Sequence, residues 1–270
     1  MIQNRSLGEL LRTRQGTSAT TLGAFVFSND SNISSIYGAA GFDFVVIDTE
    51  HGLNDVQSVQ AHTRACHAAG ITAIVRLGVA NFPDAPRLLD SGVDGFMLPH
   101  CGLAGYGVES VLDSMRYFPK GNRPTCTGVP AARFGIGSFA EYAERANRDV
   151  LSIGLIEDAS VVDNLDAVLD SSGVDWLMPG PGDLAASMGK HGQLTHPDVI
   201  AAVDKIVAGA VARNTPVGMY VNDSAEIQTW SGREIDFFVH AIDYKTLARH
   251  LHDVERACRR IHDVAHAAHA

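Results

Sequence analysis

A chain of 270 residues, 46% apolar and 19% charged, has the length of one (β/α)8 barrel and the composition of a protein with a large buried core. That balance excludes a disordered scaffold. The net charge of −10, with no local cluster of Lys or Arg to offset it, argues against nucleic acid or anionic membrane as a partner.

In chain order, the opening stretch MIQNRSLGELLRTRQG has no signal-peptide core, and no apolar run reaches membrane-spanning length, so a cytoplasmic location is expected. Eight short apolar runs then follow as candidate strands: 21–27, 42–48, 72–77, 94–99, 151–157, 175–180, 216–221 and 236–241. Helical stretches lie between them, such as DVQSVQAHTRACHAAG after the second and HPDVIAAVDKIVAGAVARN after the sixth. Several helices end in a glycine followed by an apolar residue (Gly41, Gly70, Gly92, Gly173), the residue that closes a helix in the left-handed conformation. Strands apolar on both faces belong to a covered parallel sheet. The expected fold is α/β, a single TIM-type barrel spanning residues 1–270, with a doubly wound open sheet as the alternative.

Two features depart from a plain barrel. Residues 120–138, KGNRPTCTGVPAARFGIGS, form a long Gly/Pro/Arg-rich loop of the kind that is commonly functional. From Tyr244 onward, Leu247, Leu251, Val254, Cys258 and Ile261 make one apolar stripe on a long helix, to pack on its own barrel or on a neighbour. The four cysteines, Cys66, Cys101, Cys126 and Cys258, include no C-x-x-C pair and are expected to be small buried apolar residues in a reducing compartment.

Barrel active sites lie where the strands end. Those ends deliver Asp48, Glu50 and His51 after the second strand, Arg76 at the third, His100 after the fourth and Glu157 and Asp158 at the fifth. The sixth opens into GPGDLAASMG with Asp183, and the seventh ends at Tyr220 and Asn222. Glu157 and Asp183 suit a hard divalent cation, Mg2+ or Mn2+ with Co2+ as a further candidate. Arg76 supplies a charge-assisted contact, and the turn at Gly182 offers backbone N–H groups to a carboxylate. His51, with Asp48 nearby, is the candidate general base. Asp158 and Asn222 read as helix-start residues, and His100 as a structural histidine. The only lysines, Lys120, Lys190, Lys205 and Lys245, lie outside the candidate strands, which argues against imine chemistry. The ends of the last two strands lack Gly-rich phosphate-binding turns, which favours a non-phosphorylated acid as substrate.

The ordered set FDFVVIDTEHGLND, AIVRL, RLLDSGVDGFMLPH and IEDASVVDNLDAVLDSSGVDWLMPGPGDLAASMG resembles the HpcH/HpaI aldolases, metal-dependent enzymes that cleave 4-hydroxy-2-oxo acids. The resemblance implies that Glu157 and Asp183 hold a divalent ion, that His51 is the base, and that Arg76 steadies the enolate. It further implies that Asp90 supports the histidine and that Gly182 contacts substrate through its main chain. The implied partners are a small 2-oxo acid such as pyruvate or oxaloacetate plus an aldehyde, and further copies of this chain, with a hexamer as the expected count. Leu155 stands where these aldolases carry Gln, and loops such as 120–138, together with a neighbouring chain, are expected to set the aldehyde half. The alternatives are an oxaloacetate decarboxylase or C–C ligase of the same barrel type, or a non-catalytic 2-oxo-acid-binding barrel.

Overall fold

The structure is a computed structural model that describes residues 20–230 and 232–267, with side chains described as far as residue 261. The opening stretch and its expected lack of a signal peptide lie outside the described residues. Eight strands follow one another: β1 (Thr21–Val26), β2 (Phe44–Asp48), β3 (Thr72–Arg76), β4 (Gly95–Leu98), β5 (Leu151–Ile156), β6 (Trp176–Pro179), β7 (Gly218–Val221) and β8 (Phe237–Ile242). All pairings are parallel in the order β6-β5-β4-β3-β2-β1-β8-β7, and a parallel bridge between Leu177 and Val217 joins β6 to β7 and completes the circle. The expected barrel is therefore the observed one, and the open sheet is not.

The helices that bear on the site are α1 (Asn32–Ala39), α2 (Val56–Ala69), α3 (Ala85–Ser91), α4 (Val108–Met115), α5 (Phe139–Asp149), α6 (Ala159–Asp163) and α7 (Leu165–Ser171). They continue with α8 (Pro181–Ser187), α9 (Pro197–Ala212), α10 (Ser224–Trp230) and α11 (Asp243–Ala267). The left-handed glycines act as expected, with φ of 90° at Gly41, 78° at Gly70, 108° at Gly92 and 66° at Gly173. At the next step an aspartate follows. Asp43, Asp94, Asp175 and Asp236, each just before an even-numbered strand, accept the backbone N–H of Leu22, Ala73, Ser152 and Val217 on the preceding odd strand at 2.8–2.9 Å. These four bonds pin neighbouring strands in register at the end where they begin.

Strand alternation divides the core in two. One set of side chains (Phe44, Val46, Ile74, Met97, Ile153, Leu155, Trp176, Met178, Phe237 and Val239 among them) fills the barrel interior, and the other packs outward under the helices. Gly23 and Gly218 make room for Phe44 and Phe237, whose ring atoms lie 2.2–2.3 Å from where a Cβ would stand. Continuing the inward set by one more step toward the strand ends reaches Asp48, Arg76 and Glu157. Period-two geometry alone thus delivers three polar side chains to one opening.

One expectation, on the cysteines, needs correction, and two others are narrowed. The segment 120–138 contains a 3-10 turn at Pro130–Gly135 and connects α4 to α5 and β5, so within one chain it lies at the end where strands begin, away from the mouth. Cys66 and Cys101 are buried, but Cys126 and Cys258 are exposed. The stripe on α11 does not pack on its own barrel: Tyr244, Leu247, Leu251, Val254 and Ile261 are all exposed. No helix among the described residues is long and apolar enough to cross a membrane.

Candidate active site

Asp48, the last residue of β2, is wholly buried, and its two oxygens serve two different loops. Oδ1 accepts the backbone N–H groups of His51 and Gly52, both at 2.6 Å, which shapes the turn that carries His51 out of the strand. Oδ2 accepts Nε of Arg76, at the end of β3. The guanidinium lies over the Phe25 ring at 4.6 Å and approaches Glu50 with its NH1 at 3.4 Å. A carboxylate, a second carboxylate and an aromatic face therefore fix the plane of Arg76, and its NH2 has no hydrogen-bond partner among the described residues. Asp48 touches His51 only through the backbone. The nearest carboxylate to the imidazole is Glu50, whose Oε2 is 3.7 Å from Nε2. The expected pairing of Asp48 with the histidine ring is thus replaced by a positioning role, and Glu50 emerges as the residue between base and arginine. Burial pushes the Glu50 carboxyl up, against the opposing pull of Arg76 and His51.

Across the opening, Glu157 follows β5 and is 4% exposed. Burial, chiefly, raises its pKa from 4.5 to about 7, while the His100 N–H and imidazole pull downward and Asp183 pushes further up. Oε1 accepts the His100 N–H at 2.8 Å, and Oε2 has no hydrogen-bond donor among the described residues. Gly180 makes this possible: a Cβ there would stand 2.5 Å from Oε2. Pro181 then starts α8, which carries Asp183, exposed, in its first turn. A Cβ at Gly182 would meet nothing within 4 Å, so its backbone faces open space.

The flanking residues sort differently from the sequence reading. His100 adopts φ of +52°, a conformation uncommon outside glycine, and that turn aims its N–H at Glu157. Its Nδ1 is 3.0 Å from Asp158 Oδ2, and its ring lies 4.4 Å from that of Tyr106, so it belongs to the site's wall. Asp158 does precede α6, but it makes no side-chain cap and is engaged with His100 instead. Asn222 is held by Glu226 of α10 and by Tyr220, as a loop residue should be. Leu155 is 2% exposed inside the barrel, just below Glu157. Asp90 is not brought to His51: it lies near the end of α3, at the opposite end of the barrel, paired with the buried Arg123 at 2.8 Å. Among the described residues no group of three or more His, Cys, Asp or Glu could hold a metal ion. A two-carboxylate site is what remains, and a hard ion held by two carboxylates completes its shell with water and substrate oxygens.

Fold and opening together give a (β/α)8 barrel whose mouth carries two acids across from a clamped guanidinium and an exposed imidazole. A profile of the HpcH/HpaI aldolase/citrate lyase family matches residues 21–249, and the chain belongs to that family. It is 32% identical over 197 residues, 73% of this chain and 76% of the relative, to a 5-keto-4-deoxy-D-glucarate aldolase of Salmonella arizonae. The citrate synthase SbnG superposes with a TM-score of 0.82 at 26% identity, covering 96% of this chain and 99% of that one. A citrate lyase beta subunit from M. tuberculosis, complexed with oxaloacetate and magnesium, shares the fold with a TM-score of 0.51 at 18% identity, over 83% of this chain and 92% of that one.

Two outcomes follow from this geometry. Arg76→Ala strands a buried carboxylate and is expected to cost about 3 kcal/mol or more in denaturant unfolding, whereas adding Asp48→Asn to it recovers part of the loss. An additive double variant contradicts the coupling. For Glu157, a folded pKa near 7 against 4.5 when exposed means the native state holds the extra proton between those values, so stability falls as pH rises through that window and is flat above it. Metal-free Glu157→Gln is therefore expected to gain on the wild type from pH 4.5 to 7 in paired thermal melts. A constant difference contradicts the raised pKa.

Proposed function

We propose that this chain is a divalent-metal-dependent aldolase that cleaves a 4-hydroxy-2-oxo acid to pyruvate and an aldehyde. The observation that carries the reading is the buried Glu157 with an uncommitted oxygen beside Gly180, near enough to Asp183 to feel its charge, across from the clamped Arg76. Glu157 and Asp183 offer hard carboxylate oxygens, and the neighbouring His100 ring is engaged by Asp158 through Nδ1, which fits Mg2+ or Mn2+ held by the two acids. When bound, such an ion would supply Lewis acidity at the 2-oxo acid.

The residues of the chain account for the rest. Arg76, its plane fixed by Asp48 and Phe25, faces the keto oxygen and stabilises the negative charge that develops there. His51 is the exposed imidazole at the rim. It removes the proton of the 4-hydroxyl group; the C3–C4 bond then breaks, its electron pair forming the enolate of pyruvate, and the former C4 leaves as the aldehyde carbonyl. Return of a proton to C3 completes pyruvate. Glu50 lies between base and arginine, 3.7 Å from the His51 ring and 3.4 Å from the Arg76 guanidinium. The Gly182 N–H meets the substrate carboxylate, and Leu155 leaves the floor of the site apolar.

A homo-oligomer, with six chains as the expected count, accompanies this reading. The exposed stripe of α11 supports it, and Asp90 could serve a histidine only from a second copy. The likeness to SbnG favours one alternative, in which the same site forms a C–C bond from an oxo acid rather than breaking one.

Excess chelator is expected to abolish retro-aldol cleavage, and added Mg2+ or Mn2+ to restore it. His51→Ala is expected to lower retro-aldol turnover by about a hundredfold or more while oxaloacetate decarboxylation, which needs no hydroxyl proton removed, persists. Full activity in chelator contradicts the ion, and equal loss of both reactions contradicts the base.

A further inference from the structure

At the end of the barrel opposite the mouth, a cavity of about 470 Å3 opens between α2, the end of α3, α5 and the first residues of β3, β4 and β5. Its charged lining consists of Arg64, His67, Asp94, Arg123, Arg145 and Asp149. Both acids are already answered: Asp94 by His67 at 3.0 Å and by the Ala73 N–H, and Asp149 by its neighbour Arg148. The side chain of Arg123 is 1% exposed and gives its NH2 to Asp90 and to the Tyr142 hydroxyl, which leaves its Nε buried without an acceptor among the described residues. An unanswered donor of that kind costs free energy until an acceptor reaches it. Arg64 and Arg145 have no carboxylate within ion-pair distance among the described residues; Arg145 lies 5.6 Å over the Tyr142 ring. Two uncommitted guanidiniums and a third with a spare donor thus converge on one concavity, in a chain whose net charge is −10.

We propose that this cavity binds a dianionic phosphate group carried by a small metabolite, with Arg64 and Arg145 on the phosphate and the buried Arg123 on the inner wall. Guanidinium forks match phosphate oxygens, and two free positive charges match a dianion. The volume exceeds a bare phosphate and lies within the range of small-molecule sites, with Leu89 and Val150 offering apolar wall to a short carbon chain. Barrel enzymes do their chemistry at the other end. The ligand therefore bridges α2 to α5 on the face turned away from the chain's own mouth, and acts on the stability of the fold.

The test is isothermal titration of the full-length protein with inorganic phosphate, glycerol 3-phosphate and malonate at matched ionic strength, with thermal melts alongside. One glycerol 3-phosphate per chain, a raised melting midpoint, and binding weakened about tenfold or more in R64A/R145A with turnover unchanged are the expected results. Inorganic phosphate bound as tightly as the ester also supports the site and assigns it to the free ion. Both replaced arginines are exposed, so the double variant is expected to melt like the wild type in the absence of phosphate. Absence of phosphate binding, malonate bound more tightly than either phosphate, or unchanged affinity in the double variant overturns the proposal. So does loss of binding in E157Q, which would place the anion at the mouth.

Discussion

The site depends on one buried carboxylate. Asp48 sits in the top layer of the barrel interior with no exposure to water, and a lone ionised acid there would be prohibitively costly. Arg76 and two backbone N–H groups of the following turn answer its charge. The same three contacts fix the plane of the guanidinium, the path of the chain out of β2, and hence the rim position of His51. A charge buried for stability elsewhere would be poor economy. Here it holds two functional groups on neighbouring strands in one geometry before any substrate arrives, and that preorganisation is what electrostatic catalysis requires.

Glu157 stands in the opposite electrostatic state. Asp48 has a cation on one oxygen and backbone donors on the other, while Glu157 has a single N–H on Oε1 and an unmet Oε2. Burial outweighs the His100 donor and drives its carboxyl toward neutrality, the condition that a divalent cation would reverse. One side of the mouth is thus electrostatically complete and the other is not. That asymmetry is the physical basis for the proposal that puts Arg76 on the oxyanion and a cation on the acids.

Much of this is legible in the sequence. Short runs apolar on both faces gave the eight strands to within two residues, and reading the residues at their ends named Asp48, Arg76 and Glu157, which strand periodicity then carries to the mouth. The residues that escaped depend on loop geometry instead. His100 joins the site through a backbone with φ of +52°, and no pattern of residue types announces that turn. Asp158 sits at a helix start, as read, but its side chain turns to the histidine. Glu50 was visible in the motif, yet its place between base and arginine follows from the path of the turn that Asp48 shapes. Asp90 stands apart from His51 within one chain for a different reason. A role carried across by resemblance gives no position in space, and a residue at the end of a helix that runs back from the mouth cannot reach it within one chain.

The central claim is that the mouth stabilises an enolate of a 2-oxo acid, and this can be measured without knowing the aldehyde. Pyruvate incubated in D2O with the protein and Mg2+ or Mn2+ reports enolate formation as loss of the methyl proton signal in NMR. Exchange that requires the ion and falls sharply in Arg76→Lys, whose point charge cannot reproduce the planar fork, is the predicted result. Pyruvate that binds but keeps its methyl protons would contradict the account and leave a barrel that recognises an oxo acid without transforming it.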